Sequence, residues 1–124
     1  MAILVYTESE KGKFKKIAFE LASYARAIAD ENNTTVTAVC INAEDPIELQ
    51  NYGVNKILNI SNQELKSFNA ISYSQSLLQA AENEKSNIII ISSSADSKYL
   101  APLIRKIWLA KSMVWHGHLL VVSC

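Results

Sequence analysis

Residues 87–107 read N-I-I-I-I-S-S-S-A-D-S-K-Y-L-A-P-L-I-R-K-I, and the fold turns on how this stretch is read. Successive side chains of a strand point to opposite faces of a sheet. Four consecutive isoleucines, Ile88 to Ile91, therefore need cover on both faces, which is the pattern of a central strand in a parallel sheet. The apolar run stops at Ser92. Leu100, Leu103, Ile104, Ile107 and Trp108 then recur at helical spacing and predict a helix with those residues on one face. Ser94, Asp96 and Ser97 are candidate caps, because a side-chain oxygen can accept a free N–H of the first helical turn. Pro102 fits best if the regular helix begins near Ala101, with a looser turn before it. A buried strand running through a polar turn into a helix is where open α/β sheets bind ligands.

Earlier parts of the chain repeat the alternation. Residues 2–7, A-I-L-V-Y-T, read as another central strand and residues 8–14 as a turn. From Phe14 a helix is predicted, with Ile17, Leu21, Tyr24 and Ile28 as an apolar stripe. Ala18, Ala22, Ala25 and Ala29 form a column beside it, small enough to let the helix lie close on a sheet. Residues 34–41 are β-branched and strand-like. Asp45 and Pro46 then open a short helix that Gly53 should stop, Asp45 as cap. Residues 56–60 predict a third strand and residues 61–69 a polar loop. Residues 71–84 predict a helix with Ile71, Ser74, Leu77, Leu78 and Ala81 facing in. The order is βαβαβαβ: a single α/β domain, Rossmann-like, with a parallel sheet of about five strands, right-handed crossovers and helices on both faces. With the first strand between the second and fourth, the switch point lies between Thr7 and Ser92.

Composition narrows the function. Of the 124 residues, 49% are hydrophobic and 19% charged, with twelve acidic and twelve basic side chains. Balanced charge argues against a nucleic-acid partner. The one basic cluster, Lys11, Lys13, Lys15 and Lys16, reads as a solvated face rather than an anionic-partner patch. No apolar run approaches the ~20 residues of a membrane span, and no signal peptide opens the chain. Cys40 and Cys124 share no metal-ligand spacing, and Cys40 reads as a buried small hydrophobe in a reducing compartment. These features predict a cytoplasmic protein, with a mitochondrial matrix location after processing as the second choice.

Chemistry-bearing motifs are sparse. G-x-G-x-x-G, the P-loop and G-x-S-x-G do not occur. His116 and His118, two apart, would share one face of a strand and read as a surface strand end rather than a metal pair. Glu8, Glu10 and Asp96 could meet at the switch-point cleft, but read as caps and solvated loop carboxylates. Thr7, Ser92, Ser93, Ser94, Asp96 and Ser97 are the candidate cofactor-binding residues at the cleft, since hydroxyls and N–H groups at a helix N-terminus attract anions. Close phosphate approach usually requires glycine, and this turn has none. A plain capping turn is therefore the preferred reading. No catalytic residue and no metal ligand is predicted.

Three stretches carry a resemblance: M-A-I-L-V-Y-T-E-S-E-K-G-K-F-K-K at the start, Tyr52-Gly53-Val54-Asn55-Lys56, and S-S-S-A-D-S-K-Y-L-A-P-L from Ser92. In this order and spacing, through about Ile104, the chain resembles the amino-terminal domain of the electron-transfer flavoprotein alpha subunit. Tyr99 stands where that family usually has aspartate, and Leu103 where it commonly has arginine. The resemblance implies a fold related to universal stress proteins and nucleotide-binding hydrolase-like domains. It also implies an electron-carrier subunit, not an enzyme, that packs against a beta subunit while FAD shuttles electrons from dehydrogenases. Most of the family's FAD site lies in a second domain, which is expected to be absent from residues 1–124, so this chain alone should bind no FAD. The rivals are a stand-alone adenine-nucleotide-binding module of the stress-protein kind and a folded fragment without independent function.

After Ile104 the sequence leaves the family pattern, and both tryptophans and both histidines fall between Trp108 and His118. So abrupt a change predicts a truncated or frame-shifted end, with a genuine variant as the alternative. Residues 113–115 and 119–122 carry enough apolar and β-branched character for a fifth strand, with Gly117 as a bend. Leu103, Ile107 and Trp108 should meet the sheet. Such a strand would have one face uncovered, which predicts self-association or poor solubility centred on residues 115–122.

Overall fold

A computed structural model describes residues 2–94 and 96–123; Met1, Ala95 and Cys124 lie outside the described residues. The chain runs β1 (Ala2–Tyr6), β2 (Ser9–Glu10), β3 (Lys13–Phe14), α1 (Lys16–Glu31), β4 (Thr35–Ile41), β5 (Lys56–Ile60), α2 (Ala70–Asn83), β6 (Ile88–Ser92), α3 (Leu100–Trp108), β7 (Ser112–His116) and β8 (Leu119–Ser123). Three single 3₁₀ segments, at Pro46–Tyr52, Gln63–Leu65 and Ser97–Tyr99, join some of these. The main sheet has the order β5-β4-β1-β6-β8-β7. Its first four strands are parallel and the last two antiparallel. β1 thus lies between β4 and β6, and the switch point falls between the ends of β1 and β6.

The isoleucine run divides between the two faces as its alternation requires. Ile89 and Ile91 join Leu4, Tyr6, Leu77, Leu100 and Ile104 beneath α2 and α3. Ile90 joins Ile3, Val5, Leu21, Ala22 and Ala25 beneath α1. Ile89, Ile90 and Ile91 are fully buried, whereas Ile88, at the strand's open end, is only half-buried.

Helix faces differ in detail from the sequence reading, always toward closer packing. In α1 the alanine column itself is buried with Leu21, and Ile17, Tyr24 and Ile28 sit half-buried at its margins. Small side chains bring the helix axis nearer the sheet, so larger neighbours are pushed to the flanks. In α2, Tyr73 and Ala80 turn inward with Ser74, Leu77 and Ala81, while Ile71, in the first turn, is 60% exposed. Tyr73 wins the inward place because its hydroxyl donates to the Leu65 carbonyl at 2.5 Å, a partner available only inside. In α3, Ala101 replaces Ile107 on the buried face, and Ile107 is 55% exposed. The regular helix starts at Leu100, after the 3₁₀ turn that relieves Pro102.

Two local elements escaped the sequence reading. Residues 8–14 are not a plain turn. β2 and β3 pair as a small antiparallel ribbon around Lys11 and Gly12, both with positive φ (52° and 84°), the backbone of a tight two-residue hairpin. The end of the chain is a hairpin and not a single fifth strand. β7 and β8 pair from Ser112↔Ser123 to His116↔Leu119 around a two-residue turn, and β8 lies antiparallel against β6. His116 is thus in a strand and His118 in the turn, so the two do not share a strand face. Asp45 makes no side-chain cap bond, but Gly53 does stop the segment before it, at φ 89°. A Cβ on Gly53 would sit 2.6 Å from Arg26 side-chain carbons, so the close approach needs glycine as much as the dihedral does.

Candidate functional site

β1 delivers Tyr6, Thr7 and Glu8 to the carboxyl end of the sheet beside the end of β6. Thr7 stays with its neighbour strand: its N–H and its hydroxyl both donate to the Val39 carbonyl, at 2.9 and 3.1 Å. Glu8 turns toward β6 and is 3% exposed. Its Oε1 accepts hydrogen bonds from the hydroxyls of Ser92, Ser94 (2.6 Å) and Ser97. Its Oε2 accepts from Lys15 Nζ at 3.1 Å, and its carbonyl accepts the Lys15 N–H at 3.0 Å. Ser94 Oγ also accepts the Ser97 N–H at 3.1 Å, which closes the turn into α3.

Burial pushes the Glu8 carboxyl upward, but hydrogen bonds from Ser92, Ser94, Ser97 and Lys15 outweigh it and hold it below the ordinary glutamate value. Lys15 answers in the opposite sense. Burial lowers it, and the hydrogen bond and charge of Glu8, with Asp96 and Glu10 behind, raise it more. Glu8 is therefore a charged, desolvated carboxylate inside a cage of donors. It is neither a helix cap nor a solvated loop residue, which corrects the reading from sequence.

The turn 92–97 does gather hydroxyls at a helix entry, as an anion site would. The anion is supplied by the chain itself. A phosphate at this position would compete with the Glu8 carboxylate for the same three hydroxyls and meet its charge. The turn has no glycine that would admit a phosphate against the backbone, so these residues do not fit the diphosphate of FAD. Ser93 is exposed, and its N–H is spent on the His118 carbonyl at 2.8 Å. Asp96 is exposed and lines a cleft of about 310 Å3 with Tyr6, Glu8, Glu10, Lys15 and Lys66. Glu8, Glu10 and Asp96 do meet at one cleft, with only Glu8 buried. Of the basic cluster, Lys15 is committed to Glu8 and the rest borders the β2–β3 ribbon. His116 packs its ring 5.9 Å from that of Tyr24. Among the described residues, no group of three His, Cys, Asp or Glu side chains could hold a metal ion.

Sequence reasoning named the serines and set Glu8 at the same cleft, but read it as a cap or solvated carboxylate and not as their partner. The signal was present: a glutamate directly after one central strand, and hydroxyls at spacings of two and three directly after its neighbour.

The sheet order and the site at its switch point define an open, Rossmann-like α/β domain whose switch-point turn holds the chain's own carboxylate. Comparison with known families then resolves which one. Residues 3–104 match the electron transfer flavoprotein domain, and the chain belongs to that family. It is 27% identical over 105 residues to electron transfer flavoprotein subunit alpha of Megasphaera elsdenii, covering 82% of this chain and 31% of that protein. The alpha subunit of Bacillus subtilis (strain 168) is 27% identical over 101 residues, covering 81% and 31%. Acryloyl-CoA reductase electron transfer subunit beta of Anaerotignum propionicum is 30% identical over 103 residues, covering 81% and 28%. The chain thus spans less than a third of the length of these relatives. The match ends at Ile104, inside α3, so the β7–β8 hairpin lies outside it.

Proposed function

We propose that residues 1–124 act as the amino-terminal, partner-packing domain of an electron-transfer flavoprotein alpha subunit, an electron carrier that makes and breaks no covalent bonds of its own. On this reading the flavin belongs to a second domain with no counterpart in residues 1–124, and the domain's partner is a beta-type subunit of the same family. The observation that carries the reading is the Glu8 cage. It fills the anion position at the switch point with a carboxylate and leaves the domain its surfaces, rather than its cleft, to work with. Family membership over residues 3–104 supports the same role. A reducing, cytoplasmic setting suits the free, buried Cys40.

The rival reading, a stand-alone adenine-nucleotide module, needs the Ser92–Ser97 turn free to meet phosphate, and Glu8 engages three of its four serine hydroxyls. Equilibrium dialysis of the purified chain against FAD and against adenosine monophosphate separates the two. The expected outcome is a colourless protein that retains neither. Stoichiometric retention of either ligand would overturn the partner-packing reading in favour of its rival.

A further inference from the structure

The two edges of the main sheet are finished in opposite ways. At β5, Lys56 pairs with Glu84 at 2.8 Å, and the Asn59 amide donates to the Ala43 carbonyl (2.9 Å) and accepts its N–H (3.1 Å). A charge and a tethered loop thus guard that edge. β7, at the other edge, reads S-M-V-W-H and contains no lysine, carboxylate or proline. It pairs residue for residue with β8 over its full length, without a bulge inside the ladder. These are the devices by which natural sheets prevent edge-to-edge pairing, and β7 has none of them. Val114 and Trp115, adjacent and so on opposite faces, are 45% and 50% exposed.

From this edge we infer that β7 pairs antiparallel with β7 of a second copy of the chain, joining two six-stranded sheets into one. A strand with one neighbour leaves alternate N–H and C=O groups facing outward, and only another strand satisfies them in order. The occupant is a second copy because antiparallel pairing is two-fold symmetric, so a regular five-residue strand is its own complement. Centred on Val114, the register sets Val114 against Val114 of the other copy and Trp115 against Met113 of the other copy. Sulfur against an aromatic ring is a favourable contact, and Met113, Val114 and Trp115 bring no ionisable group to the junction. Lys111 falls outside the paired segment at each end, so the two lysines are held at opposite ends of the junction. The inference stands on the hairpin alone, which lies beyond the family match, and does not depend on the proposed function.

A five-residue edge is a small interface, so the dimer is weak, with a dissociation constant on the order of 0.1–1 mM. Sedimentation equilibrium of the 124-residue chain up to about 1 mM, with amide hydrogen exchange at low and high concentration, tests it. Expected are a reversible monomer–dimer equilibrium and concentration-dependent protection confined to alternate amides of residues 112–116. Val114→Lys puts two ammonium groups face to face at the symmetry centre and should weaken association at least about tenfold with an unchanged circular-dichroism spectrum. Should that variant fail to fold, the exchange pattern of the unaltered chain decides by itself. A monomer throughout, protection at another surface, protection of residues 112–116 only when a different protein is added, or a folded Val114→Lys that associates as tightly would each overturn the inference.

Discussion

Removing the carboxylate of Glu8 should cost more than removing any other polar group of the cleft. In Glu8→Ala, Ser92 and Ser97, which are 1% and 0% exposed, lose the acceptor for their hydroxyls, and Ser94 loses a 2.6 Å bond. A buried donor left unpaired costs about 1–3 kcal/mol. Hydroxyls can turn to nearby carbonyls, and the neighbouring cleft can admit water, so the three losses do not add. Lys15, a third exposed, recovers hydration and contributes little. The net expectation is about 3–5 kcal/mol, most of it from the two fully buried hydroxyls of Ser92 and Ser97 left without an acceptor. Glu8→Gln keeps an acceptor for the serines but sets an amide NH2 against Lys15, and should cost about 1–2 kcal/mol. Urea unfolding followed by circular dichroism measures both. With a slope near 2 kcal/mol per M, the alanine variant's midpoint should fall by about 2 M. A loss under about 0.5 kcal/mol, the scale of ordinary surface changes, would refute the cage as a structural centre. So would equal losses for alanine and glutamine.

Acid should weaken the same contact. A carboxyl whose folded pKa lies below its unfolded one gives stability that is complete above the unfolded value and fades as pH falls through the folded one. The lead of the unaltered chain over Glu8→Gln should therefore shrink below about pH 4 and be flat above it; a lead independent of pH would contradict the charged cage. Ile90→Ala, in the centre of the sheet, should cost about 2–5 kcal/mol with no change in slope, and a loss near zero would mean β6 is not central. Cys40 is pushed up to about 12 by burial, so iodoacetamide should leave it unmodified in the native protein and alkylate it in urea, as read by peptide mass. Native alkylation would show that β4 opens readily.

What the sequence disclosed follows the strength of its periodicities. Ile88 to Ile91 could be read as a doubly covered strand because no half-exposed strand carries four isoleucines, and from it came the sheet, the crossovers and the switch point. Helix faces were less exact. A hydrophobicity stripe counts Ile71 and Ile107 as core, but Tyr73 has a carbonyl to reach inside, and Ala101 lets α3 approach the sheet as a larger residue would not. The hairpin 112–123 was half visible: its apolar composition declared strand, and only the turn at Gly117 distinguishes one bent strand from two paired ones. Glu8 was the largest miss. Its serine partners lie more than eighty residues away, and nothing in local pattern separates a carboxylate on a solvated turn from one aimed at a neighbouring strand's end. The ribbon at Lys11 and Gly12 was missed because lysine is an uncommon choice for a positive-φ hairpin position.

The account's central claim is that this domain works by packing against a beta-type subunit. Sedimentation velocity of a cognate beta-type subunit carrying a covalent visible dye, followed at the dye's absorption band with and without the chain, tests it directly. When the chain is added in slight excess, all of the dye should shift to a faster-sedimenting one-to-one complex. Dye that sediments at an unchanged rate would contradict it.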